Sequence, residues 1–157
     1  MFGTLNEIEL ERLIAGQWVG RIACCDNGKP YMVPISYAYD GTFIYCHSDE
    51  GRKVNIMRRN PQVCFQVDEM KDMANWKSVV MEGFFEEITD PKERNDAMLT
   101  LLNRYLPVIS SVTTHLGEHW PFYPDDASAI DGLIFKIRIQ SKFGKFESNT
   151  LSPAIPG

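Results

Sequence analysis

The sequence lacks the features that mark membrane spans, secretion signals and nucleic-acid surfaces. None of its 157 residues falls in a run of the ~18 uninterrupted apolar residues that a membrane span needs, and the first residues show no cationic stretch followed by an apolar one. Lysine plus arginine number 16 against 21 aspartate plus glutamate, a formal net charge of −5, whereas nucleic-acid surfaces usually carry a basic excess. We therefore expect a cytoplasmic protein that binds neither nucleic acid nor membrane.

Several catalytic signatures are also missing. There is no Walker loop, no nucleophile elbow and no G-x-G-x-x-G, so any NAD(P)H would act only as a transient reductant. No C-x-x-C pair occurs among the four cysteines, which are Cys24, Cys25, Cys46 and Cys64. Each lies in a strand-like segment, and we expect all four to be reduced and semi-buried.

One pair of histidines has the spacing of a metal site. His115 and His119 would share a helical face, but Gly117 lies between them and no third ligand is evident. We predict no metal site.

The sequence does contain strand-like segments separated by turn signals. The predicted strands cover residues 18–26, 31–39, 42–47, 62–70, 76–88 and 130–146. Asn27-Gly28 and Asp40-Gly41 are hairpin signals that join the first three into a meander. Six strands with only short helices predict a mainly β fold, a β-barrel with helical decorations.

Two short helices are expected in the first half of the chain. Residues 6–15 carry apolar residues near helical spacing, and Gly16 follows as a stop. Ser48 is expected to cap a second helix that runs through Asn60 and is ended by Pro61.

A third helix is expected to begin at Asp90. That residue would cap it, with Pro91 at its first position, Glu93 completing a capping-box-like pair and Pro107 ending it.

We predict one domain over residues 1–147 and a loose tail over 148–157, whose prolines and glycine favour no regular structure.

The candidate site lies where the third strand leads into the second helix. Arg52 and Lys53 fall in the first helical turn, where cations oppose the positive end of the helix dipole and free amide groups seek an anion. This combination favours a phosphate site. Asp49 and Glu50 offer an alternative, in which their carboxylates satisfy the dipole and leave both cations on a solvated face.

Ordered motifs through the first half of the chain carry a resemblance to a known family. They are Gly20-Arg21-Ile22-Ala23, Gly28-Lys29-Pro30-Tyr31-Met32-Val33-Pro34-Ile35, Ile44-Tyr45-Cys46-His47-Ser48, Gly51-Arg52-Lys53, Asn60-Pro61-Gln62-Val63-Cys64-Phe65 and Trp76-Lys77-Ser78-Val79-Val80-Met81-Glu82-Gly83. Together they resemble the pyridoxamine-5′-phosphate-oxidase-like split-barrel flavoproteins, and most of all the branch related to 5-nitroimidazole resistance proteins. The resemblance runs from Gly20 to Glu87, with a looser echo in the last strand.

The resemblance implies a six-stranded FMN-binding split barrel that forms a homodimer with the flavin at the interface. The residues that would hold the phosphate are Ser48, Arg52 and Lys53. Those that would run beside the isoalloxazine ring are Val33, Pro34, Ile35 and Ser36. Those that would approach the flavin through backbone and side chain are Tyr45, Cys46 and His47.

Three of the implied contacts have a second interpretation or a special role. His47 is the candidate catalytic residue, a proton donor or substrate contact, because an imidazole titrates near neutrality; a hydrogen-bonded surface histidine is the alternative. Trp76 and Ser78 would reach the flavin across the dimer interface, although core packing also accounts for a tryptophan here.

The expected activity follows from the resemblance. It is an FMN-dependent, nitroreductase-like oxidoreductase acting on a small electron-poor molecule, such as a nitroaromatic or a quinone. Residues 145–149 do not supply the C-terminal arginine pattern of the oxidases that make pyridoxal phosphate, so oxidation of pyridoxamine phosphate is not expected. A split barrel using FAD, F420 or haem, and a non-catalytic flavin-binding or sensing module, stay open as alternatives. Trp120 to Pro124 would form a lid over the flavin or a subunit contact.

Overall fold

The computed structural model describes residues 1–109 and 132–149. The strands are β1 (Phe2–Thr4), β2 (Val19–Asp26), β3 (Lys29–Ser36), β4 (Ala38–Tyr39), β5 (Phe43–Ser48), β6 (Gln62–Asp72), β7 (Asn75–Ile88) and β8 (Leu133–Glu147). The helices are α1 (Glu7–Gly16), α2 (Arg52–Arg59) and α3 (Pro91–Ile109). All six predicted strands are therefore present, and the structure adds the short β1 and separates β4 from β3.

The strands form one antiparallel sheet that curls on itself. Its order is β3-β2-β6-β7-β8-β5-β4, and β1 pairs with the end of β8. Only Tyr37 separates β3 from β4 in the chain, yet these strands lie at opposite ends of the order. The sheet must curl until its ends approach each other, so the predicted barrel is confirmed.

Alternation along the strands fills the barrel with apolar side chains. Ile22 of β2, Ile44 of β5 and Phe65 of β6 are fully buried inside it. On each of these strands the two residues next to the buried one face outward. Helix α2 adds Val54 and Met57 to the same core. Burial of this continuous core is the main stabilising contribution to the fold.

Helix α3 packs against the other face of β8 and forms a second, smaller core. Met98 and Leu101 of the helix are fully buried there against Ile134. This face carries Tyr45 of β5 at its border. The sheet segment formed by β5 and β8 is thus covered on both faces.

The local turn chemistry places the first hairpin. Asn27 and Gly28 both adopt positive φ, 52° and 75°, as a two-residue hairpin turn of the mirror-image type requires. The prediction from Asn27-Gly28 is confirmed.

The start and the end of α2 both differ from the predictions. Ser48 does not cap α2: it is the last residue of β5, paired with Leu133, and Gly51 occupies the N-cap position without a side-chain hydrogen bond. The reason is that the ladder with β8 holds Ser48 in the sheet. Asn60 is the C-cap rather than part of the helix.

Helix α3 begins as predicted and ends later. Asp90 accepts a hydrogen bond from the Glu93 backbone at 3.0 Å, and Pro91 is the first residue. The Glu93 carboxylate does not complete a capping box, because it binds Lys136 on β8 instead. The helix continues through Pro107 to Ile109, since a proline in the last turn removes a hydrogen bond without ending the helix.

Some predictions fall outside the described residues. They concern His115 and His119, the segment from Trp120 to Pro124, the first residues of the predicted last strand, and residues 150–157. Among the residues described, no helix is both long enough and apolar enough to cross a membrane.

Candidate functional site

The first turn of α2 presents two cations and no carboxylate. The helix begins with Arg52 and Lys53 and has no acidic residue in that turn. In the part of the chain that the structure describes, neither side chain forms an ion pair, whereas Arg58 and Arg59 in the last turn both do. The first amide groups of a helix have no acceptor within it, and Gly51 has no side chain to offer one. Two unpaired cations therefore lie beside free amide donors.

The acidic residues that precede α2 are directed away from this turn. Glu50 accepts hydrogen bonds from both terminal nitrogens of Arg58, at 2.7 and 2.9 Å, and these bonds lower the pKa of Glu50. A carboxylate oxygen of Asp49 lies 3.3 Å from where a Cβ on Gly132 would stand, so it points to the start of β8. The alternative in which Glu50 satisfies the dipole does not match this geometry.

The two cations face three strands. The guanidinium of Arg52 lies 4.5 Å from the centre of the Tyr31 ring on β3. Burial raises the pKa of the thiols of Cys24 on β2 and Cys46 on β5, and the charge of Lys53 opposes the rise at both. The first turn of α2 thus lies near the place where β3, at one end of the sheet, approaches β5.

Strand β3 divides its four predicted ring contacts between two faces. Val33 and Ile35 pack against the barrel core, whereas Pro34 and Ser36 are exposed on the outer face. The outer neighbour of Pro34 on β2 is Arg21. Only Pro34 and Ser36 can offer side chains to a ligand outside the barrel.

Strand β5 divides its candidates in the same way. Cys46 and Ser48 are buried, and the Ser48 hydroxyl donates to the carbonyl oxygen of Asp49 at 2.8 Å. Tyr45 and His47 are half-buried on the opposite face. A Cβ on Gly132 would lie 2.9 Å from Nε2 of His47, so the imidazole packs against the start of β8. The structure does not bring His47 to the face of β5 that Lys53 approaches.

The predicted residues of β7 both have partners within the chain. The indole N–H of Trp76 donates to Glu147 at 3.0 Å, which ties β7 to the end of β8. The hydroxyl of Ser78 accepts a hydrogen bond from the side-chain amide of Gln66 at 3.0 Å. Ser78 therefore retains its own proton for donation to another group.

Sequence reasoning missed the residues that support Ser78. The amide of Gln66 also donates to Asp68 at 3.0 Å, and Arg21 forms an ion pair with the same carboxylate at 3.4 Å. Arg21 on β2 is paired in the sheet with Pro34 on β3 and with Gln66 on β6. Together with Ser78 on β7, these residues form a row across the outer face of the sheet. The available signal was the pair of polar residues two positions apart in β6, Gln66 and Asp68, which a strand places on one face.

The same outer face also carries exposed apolar side chains. Met32 is 65% exposed, and the paired residues Val80 and Phe143 are 43% and 56% exposed. Towards its other end lies a groove of about 410 Å³. Its lining is Ala23, Cys24, Cys25, Pro30, Gln62, Val63, Cys64, Glu82, Gly83, Phe84 and Gln140, which includes none of the predicted site residues.

A comparison with known families decides the assignment. The sequence model for pyridoxamine 5′-phosphate oxidase matches residues 6–141, most of the chain. The chain belongs to this family. An uncharacterized protein of Rhizobium meliloti is 41% identical over 84 residues, which span 54% of this chain and only 56% of that relative.

Solved structures agree with the family and the fold. A FAD-binding protein from Mesorhizobium loti is 31% identical, with 94% of this chain and 99% of that one covered and a TM-score of 0.71. A Bacteroides thetaiotaomicron protein assigned to 5-nitroimidazole antibiotic resistance has a TM-score of 0.72, with 93% of this chain and 87% of that one covered. At 20% identity the second likeness shows the fold alone. The predicted family and its split-barrel fold are confirmed.

Proposed function

We propose that this chain binds a flavin through its phosphate at the first turn of α2 and acts as a flavin-dependent oxidoreductase. The observation that carries the proposal is the pair of cations, Arg52 and Lys53, at a helix N-terminus whose first turn has no acidic residue. Within residues 1–109 and 132–149, neither side chain has an ion-pair partner. Membership of the family and the likeness to a FAD-binding protein support a flavin as the owner of the phosphate. FMN and FAD both offer a phosphate here, so FMN with FAD possible remains the cofactor assignment.

The residues of this chain divide the work of binding. Arg52 and Lys53 would form charge-assisted hydrogen bonds with the phosphate, and the buried Ser48 would shape the floor beneath it. Pro34 and Ser36 would lie beside the ring with their side chains. The backbone of β3 at Val33 and Ile35, and that of β5 at Tyr45 and Cys46, would line the rest of the ring's path. The bound flavin supplies the electron transfer, while the chain orients it and excludes water.

His47 is proposed as the proton donor or substrate contact, acting on the side of β5 that faces the start of β8. The variant His47→Gln, which keeps a hydrogen-bonding side chain, should retain the flavin and slow its reoxidation by a nitroaromatic. If reoxidation is unchanged, His47 has no catalytic role.

A charge reversal tests the anchor. The variant R52E/K53E should lose flavin during purification while its circular dichroism stays unchanged, because phosphate and carboxylates repel. A matched control reverses two exposed cations elsewhere, Arg12 and Lys92, the second of which also lies in the first turn of a helix. If R52E/K53E keeps flavin as tightly as the control, the phosphate does not bind here.

Turnover is tested separately from binding. The absorption spectrum and the mass of the released ligand identify the flavin as FMN or FAD. Reduction by NAD(P)H or dithionite, followed by rapid reoxidation with a nitroaromatic or a quinone, supports the oxidoreductase. A bound flavin that is reduced but passes electrons to no acceptor would make the chain a flavin-binding module.

A further inference from the structure

We propose that Arg58 keeps the phosphate site open by holding the carboxylate of Glu50 away from it, which makes Arg58 a positioning residue for flavin binding. The inference rests on the proposed function, since it concerns the same site. Arg58 lies in the last turn of α2, at the far end from Arg52 and Lys53. It acts through Glu50 and needs no contact with the ligand.

The position of Glu50 makes it a natural competitor for the site. Glu50 directly precedes Gly51, the N-cap residue of α2. Its side chain therefore starts only two residues before the helix, close to the free amides of the first turn and to Lys53. Carboxylates near a helix N-terminus are favourable because they meet the positive end of the dipole. A released Glu50 would occupy the place that the phosphate needs.

Arg58 removes that competitor through a bidentate ion pair. Its two terminal nitrogens donate to the two oxygens of Glu50 at 2.7 and 2.9 Å. Parallel N–H···O bonds of this kind are stronger and more directional than a single contact. At neutral pH, Glu50 is therefore held ionised and turned away from the first turn of α2.

The other edge of the Arg58 guanidinium is hydrogen-bonded to the sheet. Its Nε and one terminal nitrogen donate to the carboxylate of Glu87 at 3.0 and 2.8 Å. Glu87 belongs to β7, which pairs with β8 from Trp76 to Ile88, so the guanidinium is held between a paired strand and the loop before α2. Five N–H donors in a planar fork allow arginine to serve two carboxylates at once.

The next residue provides a matched control. Arg59 also lies in the last turn of α2 and forms an ion pair, but with Asp26 at 2.7 Å in the first hairpin. Its substitution removes the same charge from the same helix turn without releasing Glu50. Any effect that depends only on net charge or on helix stability should appear in both variants.

The test is a set of binding titrations with FMN and with riboflavin, which lacks the phosphate. We expect R58Q to weaken FMN binding about 3- to 5-fold, the scale of one carboxylate at a helix N-terminus, and to leave riboflavin binding unchanged. E50Q and R59Q should match the wild type. The double variant R58Q/E50Q should recover the FMN affinity, because no competing carboxylate remains.

Each outcome separates the inference from the function on which it rests. If the wild type does not bind FMN more tightly than riboflavin, the phosphate site itself is wrong. If the wild type does prefer FMN, two results would overturn the role of Arg58. In the first, R58Q prefers FMN over riboflavin as strongly as the wild type. In the second, E50Q weakens FMN binding as much as R58Q does, and R58Q/E50Q does not recover the affinity. Thermal unfolding accompanies each titration, and R58K, which keeps the charge without the fork, replaces R58Q if that variant does not fold.

Discussion

The guanidinium of Arg52 lies 4.5 Å from the centre of the Tyr31 ring. This contact joins the first residue of α2 to β3, which lies at one end of the sheet order, and so links two of the elements proposed to hold the flavin. A long arginine side chain that already rests on an aromatic ring loses less conformational entropy when it binds a phosphate. In the proposed phosphate site, Tyr31 would therefore hold Arg52 in place before the ligand binds.

Replacement of Tyr31 tests this preparation. A cation–π contact at an exposed site contributes about 0.5–1 kcal/mol, so Tyr31→Leu should weaken FMN binding about 2- to 5-fold and leave riboflavin binding unchanged. Tyr31→Phe keeps the ring and should bind FMN like the wild type. Fluorescence titration measures both, and an equal loss in the two variants would point to the hydroxyl instead of the ring.

Two glycines with similar positive φ allow backbone strain to be measured separately from steric crowding around an added Cβ. Gly132 and Gly41 have φ of 91° and 96°, but a Cβ on Gly132 would stand 2.8 Å from the carbonyl oxygen of Ser48, whereas one on Gly41 would meet nothing within 4 Å. We expect Gly41→Ala to cost about 1 kcal/mol of the free energy of unfolding and Gly132→Ala about 2–3 kcal/mol. Chemical denaturation measures the difference, and equal costs would contradict the close packing beside Ser48 and His47.

The buried thiols of Cys24 and Cys46 should resist modification. Burial raises the pKa of both thiols, so little thiolate forms near pH 8, and the two residues are only 4% and 0% exposed. Alkylation of the native protein followed by mass mapping should label Cys25 or Cys64 first, and Cys46 only after denaturation.

The same shift predicts a loss of stability in alkali. A group whose pKa is raised by folding stabilises the folded state fully below its ordinary pKa, here 9.0, and loses that contribution as the pH rises above it. The free energy of unfolding should therefore fall as the pH rises above 9, and a Cys46→Ser variant should lose less of this free energy over the same pH range.

In the alkylation experiment, labelling of Cys46 in the native protein would contradict its burial.

Strands and turns could be predicted because their signals are local. Alternation at Val63, Phe65 and Val67 and the dipeptide Asn27-Gly28 specify structure within a few residues. Ser48 could not be placed in the same way, because its partner Leu133 lies on the last strand. A residue that looks like a helix cap in sequence stays in the sheet when a distant strand pairs with it.

The candidate site shows the same division. Arg52 and Lys53 are recognisable from sequence because their conflict with the helix dipole is local. The partner of Glu50 is Arg58, on the far turn of the helix, and only the folded chain shows that this carboxylate leaves the first turn. Likewise, the packing of His47 against Gly132 depends on where β8 begins.

A last prediction concerns the outer face of the sheet, which we propose as the homodimer interface with the flavin beside it. Val80 and Phe143 are paired across β7 and β8 and remain 43% and 56% exposed. A lysine at either position would bury a charge against the second copy. The loss of such an interface residue costs about 2 kcal/mol or more, so F143K should weaken dimerisation at least 30-fold. Met73→Lys, at a hairpin tip residue that is 94% exposed, is the control and should leave the dimer intact.

Light scattering coupled to flavin absorbance reads both properties at once. Trp76, Ser78 and Val80 occupy alternate positions of β7 and lie on the same face. In the proposed dimer, Trp76 and Ser78 would reach the flavin of the other copy. F143K should then lose flavin together with the dimer, although Arg52 and Lys53 are unchanged. A wild-type monomer that retains its flavin would show that one barrel completes the site alone, and Trp76 would then serve only its hydrogen bond to Glu147.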